Sequence, residues 1–240
     1  IVFITAQGRM FKFPVSKIPI TEKSSAGIDI RILVKGISSK IVTMFDMDMV
    51  KKLANLRRKH YAVVVTEGNY IKKLDLEDVE VATQGGIIMT KLNNGDQIKD
   101  VQIIPNDIDI IIYSDRKALR CKMSDIPNYK RNTLEVFAMN TTGPIDGISA
   151  IAPKDNDIIV ITEQGKVNKF DVAGMPTGKR YGAGSSVIKL GKTDRIHSIY
   201  GAKESYEFTV ITKSSKSKYR VSDIQKNSSI SSGVKLINLP

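Results

Sequence analysis

The sequence lacks several residue types and patterns, and each absence excludes a class of protein. It has no tryptophan and a single cysteine, so a disulfide framework within the chain is excluded and a reducing compartment is indicated. It has no run of about 18 apolar residues and no signal-peptide pattern at its start. With 41% hydrophobic residues, it still carries enough apolar surface for an ordinary core.

Residue sets that carry catalysis or bind metals are also missing. His60 and His197 lie far apart and have no cysteine or carboxylate cluster at metal-ligand spacing. The run Gly191-Lys192-Thr193 ends like a phosphate-binding loop, but the glycine required five residues earlier is Ser186. Cys121 stands where sister segments have Phe or Leu, which favours packing over nucleophilic chemistry. The sequence therefore predicts no catalytic site, metal site or cofactor for this chain.

What the sequence does contain is a segment of about 30 residues that occurs five times. Each copy has a β-branched apolar arm, a polar turn and a second arm that alternates a basic residue with apolar ones. The first arms begin at Val2, Val63, Ile110, Ile159 and Thr209. The later copies repeat every 47 to 49 residues, a spacing typical of propeller blades.

This repeat predicts an all-β domain over residues 1–240, with five four-stranded blades. The predicted blades are approximately 1–48, 61–107, 108–155, 156–203 and 204–240. Each opens on a hairpin, and Gly8, Asn69 and Gly165 suit turns with positive φ. A further strand is expected in the next apolar run, which is Ile28 to Leu33 in the first copy and Val234 to Leu239 in the last. A fourth strand is expected in every copy but the last. Residues 49–60 lack Gly and Pro and show helical spacing, so they predict a short inserted helix.

The net charge of +12 is unevenly distributed along the chain. Residues 1–60 carry +8, whereas residues 61–112 carry −5. One basic residue also recurs at the same place in each copy, and these residues in register are Lys12, Lys73, Arg120, Lys169 and Lys218. Each precedes an expected core residue, such as Cys121 or Phe170, so strand alternation is expected to turn it toward solvent.

Circular stacking of the blades would place these five cations around a rim. Further turn and loop cations would join it, and these are Arg9, Lys117, Lys130, Arg131, Lys166, Lys179 and Arg180. A single exposed lysine on a strand commonly serves solubility and blocks edge pairing, but five in register favour a surface for double-stranded DNA, bound without base readout. Only 6% of residues are aromatic, which argues against a stacking platform for single strands.

The repeat resembles the C-terminal repeats of type IIA topoisomerase A subunits, the A subunits of DNA gyrase and topoisomerase IV. The shared pattern is a Thr-x-x-Gly-basic turn, a Lys-Phe pair and a loop with Pro. It is present in Thr5 to Phe13 with Ile18-Pro19, in Thr162 to Phe170 with Met175-Pro176, and in Arg120-Cys121 with Ile126-Pro127. The resemblance implies a β-pinwheel whose blades exchange strands. Such a disc is expected to bend duplex DNA around a basic perimeter and present it to a cleavage core.

The same resemblance implies that catalysis lies elsewhere. The DNA-cleaving tyrosine, and the need for ATP and Mg²⁺, are expected in the rest of the holoenzyme. The expected protein partners are the remainder of the A subunit and its B subunit, in the cytoplasm at the nucleoid and without a membrane. The chain starts at Ile1, inside a predicted strand and without an initiator methionine, so we expect a fragment of a larger protein.

One loop separates the members of this family. Gyrase A subunits are expected to carry a Gln-Arg-Arg-Gly-Gly-Lys-Gly box, which this sequence lacks, and its nearest counterpart is the loop Gly178 to Gly184. The absence favours a topoisomerase IV-like or phage-type domain over the alternative, a DNA-wrapping gyrase domain. An alternative of another class is a propeller that binds a protein partner on its acidic second blade. A propeller enzyme with a channel site lacks any converging acid, base or metal ligand.

Overall fold

The computed structural model describes residues 1–236, and most of its regular structure is β-strand. The chain forms two compact units. The first comprises Ile1–Asn106 and Ile126–Val136, and the second comprises Asp107–Asp125 and the chain from Phe137 onward. Each unit has its own buried apolar core. The predicted all-β class is confirmed.

Every sheet is built around an antiparallel hairpin that matches one sequence repeat. The five hairpins are Val2–Thr5 with Arg9–Lys12, His60–Thr66 with Tyr70–Asp75, Asp109–Ser114 with Ala118–Lys122, Asp157–Thr162 with Lys166–Asp171, and Glu207–Ile211 with Lys216–Arg220. The turn residues Gly8, Asn69 and Gly165 have φ of +77°, +67° and +77°. The predicted positive φ at these turns is therefore confirmed.

Four of the hairpins are extended to four strands by two different sources. A closing strand from the same repeat pairs with the first arm, and the closing strands are Ile41–Phe45, Ile98–Pro105, Ile145–Ile151 and Ile196–Ala202. An exchanged strand from the next repeat lies beside the second arm, and the exchanged strands are Ile87–Ile88, Val136–Phe137, Thr177–Gly178 and Val234–Lys235. The strand exchange implied by the family resemblance is thus present.

The fifth hairpin differs from the other four. Within residues 1–236 it forms a two-stranded sheet of Glu207–Ile211 and Lys216–Arg220. Its predicted third strand, Val234 to Leu239, corresponds to the exchanged strand Val234–Lys235 of the preceding sheet, and the last residues of that prediction lie outside the described residues. Five complete four-stranded blades therefore stay a prediction.

Each exchanged segment contacts the second arm twice. It first runs parallel to the arm, at Phe11–Thr83, Lys73–Asn128, Arg120–Thr177 and Lys169–Lys226. Nearer the turn it reverses and pairs antiparallel, as at Met10–Ile87, Ala118–Ser185 and Val167–Val234. The second arm of one repeat is therefore bonded on its outer edge by the backbone of the next.

Three short α-helices interrupt the strands: α1, Ile30–Leu33; α2, Met47–Ala54; and α3, Leu76–Glu80. The 3-10 turns are Val15–Lys17, Met123–Asp125, Val172–Gly174 and Val221–Asp223. The predicted strand in residues 28–33 is wrong, because Asp29 caps α1 by accepting a hydrogen bond from the Arg31 amide. The predicted inserted helix exists as α2, shifted toward the N-terminus from the predicted 49–60, because Asp46 caps its start.

Most of the positions that alternation assigns to the core are buried. Leu74, Cys121 and Phe170 are at most 1% exposed, as expected for core positions. Val15, which alternation from Phe13 would also place in the core, is 60% exposed, whereas Met123 and Val221, which begin equivalent 3-10 turns, are at most 1% exposed. Burial raises the pKa of the Cys121 thiol to about 12, which agrees with the predicted packing role.

On the second arm of each of the first four hairpins, the residue just before the basic residue in register contacts the exchanged segment directly. In the first hairpin it is Phe11, whose ring is fully buried and lies against the backbone at Gly86. In the fourth it is Asn168, whose side-chain amide donates to the Ser228 carbonyl over 3.3 Å and accepts from the Ser231 hydroxyl over 2.6 Å. An apolar ring and an amide therefore serve the same purpose at equivalent positions.

In the second hairpin this position is Lys72, which is fully buried. Its Nζ donates to the Thr133 carbonyl over 2.9 Å, and burial lowers its pKa to about 8. Glu135 from the same exchanged segment is buried too, and burial raises the pKa of its carboxyl group. The Thr90 hydroxyl donates to that carboxyl group. A polar network therefore fixes the exchanged segment onto the second hairpin.

We predict that Gly86→Ala destabilises the protein by about 2–5 kcal/mol. A Cβ at Gly86 would lie 2.2 Å from Cε1 of Phe11, and the residue has φ +76°. The positive φ alone costs about 1–2 kcal/mol, and overpacking adds about 1–3 kcal/mol. The free energy of unfolding in urea measures the loss.

Gly95→Ala is the control for this prediction. Gly95 has φ +79°, yet no atom lies within 4 Å of its added Cβ. We expect only the backbone cost there, about 1–2 kcal/mol. Equal losses in the two variants would contradict the close packing of Phe11 under the exchanged segment.

Candidate nucleic-acid interface

The five basic residues in register differ in exposure, and the prediction that all face solvent is wrong. Lys73 and Lys169 are 5% and 3% exposed. The side chain of Arg120 is 17% exposed, and Lys12 is half-buried. The side chain of Lys218 is 66% exposed.

The buried members of this set bond to protein acceptors. Nζ of Lys73 donates to Oδ1 of Asn106 over 2.6 Å and lies 4.8 Å from the centroid of the Tyr61 ring. Nζ of Lys169 donates to the Val221 carbonyl over 2.9 Å. The exposure on which their assignment to a DNA-binding rim rested is therefore absent.

Arg120 is held by the following repeat in the same way. Its guanidinium pairs with Asp109 at 2.8 Å and donates to the carbonyls of Val172 and Met175 at 2.8 and 3.0 Å. Val172 begins the 3-10 turn of the fourth repeat, as Val221 begins that of the fifth. Strand alternation turns Arg120 and Lys169 away from the core of their own sheet, as predicted. The face to which they turn is not open to solvent, because the next repeat covers it.

Lys218 shows that the cation in register stays exposed where no exchanged strand covers its arm. No exchanged strand lies on its arm within residues 1–236, and its ammonium remains exposed. There it pairs with Glu207, which also pairs with Arg220 at 3.2 Å. Two cations therefore share one carboxylate at this exposed site.

Four predicted cations from turns and loops also have protein acceptors. Nη2 of Arg9 donates to the Gly86 carbonyl over 2.9 Å, and Nη1 of Arg180 donates to the Phe137 carbonyl. Nζ of Lys130 lies 3.6 Å from carboxylate oxygens of both Asp75 and Asp78. Arg131 pairs with Asp78 at 3.7 Å and donates to the Ile88 carbonyl over 3.2 Å.

These contacts also bear on the acidic surface of the second repeat. The carboxylates of Asp75 and Asp78 are neutralised by Lys130 and Arg131 within the first unit. The surface considered as a docking site for a protein partner is therefore partly occupied by the protein's own cations.

The remaining predicted cations, Lys117, Lys166 and Lys179, are exposed or half-buried, and the structure adds others beside the first two. We define the basic turn edge as six residues of the second unit: Arg116, Lys117, Lys166, Lys192, Arg195 and Lys235. Within the described part of the chain, none of the six pairs with a carboxylate. The sequence signal for Arg116 was its place in the third hairpin turn, beside Lys117.

Hydrogen bonds connect the third hairpin turn to the loop that carries Lys192 and Arg195, and Asp194 in that loop accepts from the Gln164 amide of the fourth hairpin turn. Nη2 of Arg116, in the third hairpin turn, donates to the Lys192 carbonyl over 2.8 Å. The amide of Ile196 donates to the carbonyl of Asp115 over 2.7 Å. On the fourth hairpin, Lys166 and Lys235 are direct partners across neighbouring strands. The edge is therefore one continuous surface.

A buried carboxylate, that of Asp194, holds the fourth hairpin turn in place by hydrogen bonds to backbone amides. Asp194 is fully buried, and its Oδ1 accepts hydrogen bonds from the amides of Gln164 and Arg195 at 3.1 and 3.0 Å. The exposed side chains of Lys192 and Arg195 flank it on either side in sequence. The acidic group supports the loop while the outer surface stays cationic.

The second hairpin has the same turn backbone as the fourth hairpin, but it lacks the three cations found there. There Asp96 accepts from the amides of Gly68 and Gln97, as Asp194 accepts from those of Gln164 and Arg195. By this equivalence, the second hairpin has Tyr70, Asn94 and Gln97 where the fourth has Lys166, Lys192 and Arg195. The fold therefore accepts either set of side chains.

A groove lies beside the third hairpin turn. It is lined by Ser114, Asp115, Arg116, Lys117, Asn140, Thr141, Thr142 and Gly143. Arginine, lysine and threonine side chains are the groups that most often contact phosphate oxygens of a duplex. The groove thus extends the basic turn edge with hydroxyl donors.

Sites of other kinds find little support in the described residues. Among residues 1–236, no group of three or more His, Cys, Asp or Glu side chains is placed to hold a metal ion. Over the same range, no helix combines the length and the apolar content that crossing a bilayer requires.

Comparison with protein families gives an independent finding. The chain matches the family model described as "DNA gyrase C-terminal domain, beta-propeller" at residues 1–29, 60–105, 114–152 and 156–200, which is more than half of its length. It is 23% identical over 249 residues to the DNA gyrase A subunit of Deinococcus deserti, covering 100% of this chain and 30% of that relative. The chain spans less than a third of the length of the curated relatives it matches.

Two solved structures have a similar fold. One is the C-terminal domain of DNA topoisomerase IV, with a TM-score of 0.82, 21% identity, and coverage of 99% of this chain and 74% of that one. The other is the DNA gyrase A C-terminal domain, with a TM-score of 0.80, 16% identity, and coverage of 100% and 78%. The resemblance noted in the repeats is confirmed at the level of the family.

We predict that Arg120→Met lowers the free energy of unfolding by about 2–3 kcal/mol. The substitution leaves Asp109 and two carbonyls without their guanidinium donor in a partly buried site. Lys117→Met removes the same charge from an exposed side chain three residues before Arg120, and we expect a change within about 0.5 kcal/mol. Urea unfolding compares the two variants, and equal stability would contradict the structural role of Arg120.

Proposed function

We propose a duplex-binding function for this chain, which belongs to the DNA gyrase C-terminal domain family. The chain holds double-stranded DNA by contacts to phosphates, without reading base sequence. It belongs to the A subunit of a type II topoisomerase and presents the bound segment to the cleavage core. The cleavage chemistry, with its ATP and Mg²⁺, belongs to the rest of the A subunit and to the B subunit.

The basic turn edge is the observation that carries this proposal. Its six cations lie on one continuous surface, and none is neutralised by a carboxylate of the described residues. A duplex carries a regular line of phosphates, which attract such cations regardless of base sequence. Backbone contacts of this kind fix position and orientation but carry no base information.

The finer assignment within the family rests on a loop that the sequence lacks. No Gln-Arg-Arg-Gly-Gly-Lys-Gly box is present. We therefore propose a topoisomerase IV-like domain that bends DNA, with the wrapping domain of a gyrase as the alternative.

A triple substitution that copies the second hairpin tests the basic turn edge. We predict that Lys166→Tyr, Lys192→Asn and Arg195→Gln together weaken binding of a duplex of about 40 base pairs and keep the fold. These side chains are accepted by the same turn backbone in the second hairpin. The slope of log affinity against log salt should become shallower by about 0.9 for each phosphate that the variant no longer neutralises.

The control removes the same charge at the opposite ends of the strands. Lys122 ends a second arm, and Lys154 and Lys203 come after closing strands, away from the hairpin turns. Replacing all three with Gln should leave the salt slope unchanged. If both triple variants bind the duplex equally weakly, the basic turn edge acts only through the net charge of the protein and is not a specific binding surface. A shallow slope in the unaltered protein would overturn duplex binding itself.

Ligation of a nicked plasmid separates bending from wrapping. The chain is bound to the plasmid, the nick is sealed by a ligase, and the topoisomers are resolved after the protein is removed. A domain that only bends DNA leaves the linking number unchanged, and we expect that result. A shift that grows with the amount of protein would favour the gyrase-like alternative.

A further inference from the structure

Two exposed aromatic rings lie together at the loop Gly178 to Gly184. Phe137 and Tyr181 are 48% and 49% exposed, and their ring centroids are 5.9 Å apart with the planes tilted by 41°. An exposed aromatic pair is unusual in a chain with only 6% aromatic residues. The pair belongs to neither apolar core cluster of the second unit.

The backbone presents Tyr181 in a fixed and strained conformation. Its φ is +67°, a left-handed conformation that bulky side chains rarely adopt. The Tyr181 amide donates to the Ala138 carbonyl over 3.0 Å, and the Gly182 amide donates to the Lys179 carbonyl over 3.0 Å. Arg180 donates to the Phe137 carbonyl from the same loop. The loop is therefore tied to the segment that carries the second ring.

The pair lies next to the basic turn edge. Ser185, just after the loop, pairs with Ala118, the residue that follows Lys117 of the edge. A Cβ at Gly182 would lie 3.1 Å from Cδ1 of Leu119, so the loop rests on the start of the second arm. Lys179 is exposed beside Tyr181 and, within residues 1–236, pairs with no carboxylate.

We propose that Tyr181, supported by Phe137, is a wedge that inserts at a base-pair step of the bound duplex and helps to bend it. The proposal rests on the duplex-binding function proposed above. A duplex is the occupant favoured by charge, since the exposed Lys179 is two residues from Tyr181, and Ser185, just after the loop, pairs with the neighbour of Lys117. Apolar or aromatic wedges kink DNA by partial unstacking, and the cost of a few kcal/mol is offset by further protein contacts.

The ring of Tyr181 and the nearby cations would contact different parts of the duplex. Phosphate contacts from Lys179 and the basic turn edge hold the duplex in place without base preference. The Tyr181 ring offers an apolar face to an opened step, while its hydroxyl group stays near water. A wedge of this kind prefers a step that is already weakened, because less stacking is then lost.

Binding to two duplexes tests the wedge. One is an intact duplex of about 40 base pairs, and the other carries a central two-base bulge that opens the stack. We expect the unaltered protein to prefer the bulged duplex by about fivefold to tenfold. Tyr181→Asn should reduce that preference to less than about twofold and keep the salt slope, because Asn tolerates left-handed backbone and the cations remain. Tyr181→Phe should retain the preference.

The control and the outcomes separate this proposal from the previous one. Tyr200, 53% exposed on the strand Ile196–Ala202, is replaced with Asn and should leave the preference intact. Equal affinity of the unaltered protein for both duplexes, or a preference unchanged in Tyr181→Asn, overturns the wedge while duplex binding stands. Salt-independent, weak binding of both duplexes overturns duplex binding and the wedge with it.

Discussion

The structure depends on one constraint: the second arm of each of the first four hairpins obtains its outer partner from the next repeat. A two-stranded hairpin is marginal on its own in water and needs further strands or packing to be stable. Here the closing strand comes from the same repeat, but the outer edge is satisfied by a segment from the following one. Each exchange links two repeats by backbone hydrogen bonds. These bonds do not depend on the side chains of the exchanged strand, so the repeats can differ widely in sequence.

The same constraint decides what the side chains of the second arm do. One position faces the exchanged segment, and it holds a phenylalanine ring, a lysine or an asparagine amide according to what that segment offers. The next position carries the cation in register, and in Arg120 and Lys169 that cation donates to the carbonyls of the following 3-10 turn. A buried cation is retained because its acceptors would otherwise lack a partner. The six cations of the basic turn edge, by contrast, lie at the hairpin turns or in the loop and strand next to them.

Much of the fold follows from local sequence. The hairpins, the turn residues with positive φ and the closing strands all depend on neighbours within one repeat, and the sequence of that repeat predicts them. The strand expected in residues 28–33 failed because an aspartate cap and a helical turn outweighed an apolar run. The length of the second arm was also beyond a simple alternation rule. The second arm of the first hairpin ends at Lys12, and Val15, at the start of a 3-10 turn, is exposed although Met123 and Val221 begin equivalent turns and are buried.

The candidate site was less predictable, for a physical reason. Alternation within one sheet assigns a side chain to one of two faces, but it does not say whether the second face meets water or another repeat. Lys169 was therefore assigned to a solvent-facing rim, although the 3-10 turn at Val221 covers it. Lys192 and Arg195 were overlooked because they lie in a loop without a repeat signature. Their place beside Arg116 arises from a long-range hydrogen bond that no local pattern reports. Composition gives the number of aromatic residues but not their positions in the fold, so it does not single out Tyr181 as an exposed ring.

The second and fourth hairpins show how surface charge is separated from the fold. In both, one aspartate oxygen accepts hydrogen bonds from two backbone amides and fixes the turn. Around this common backbone, one hairpin has Tyr70 and Gln97 and the other has Lys166 and Arg195. These positions face outward, where substitutions usually change stability by only about 0.5 kcal/mol. The repeat can therefore gain or lose an anion-binding surface at little cost to the sheet beneath it. The cations in register, by contrast, mainly form contacts between repeats, as Arg120 and Lys169 do.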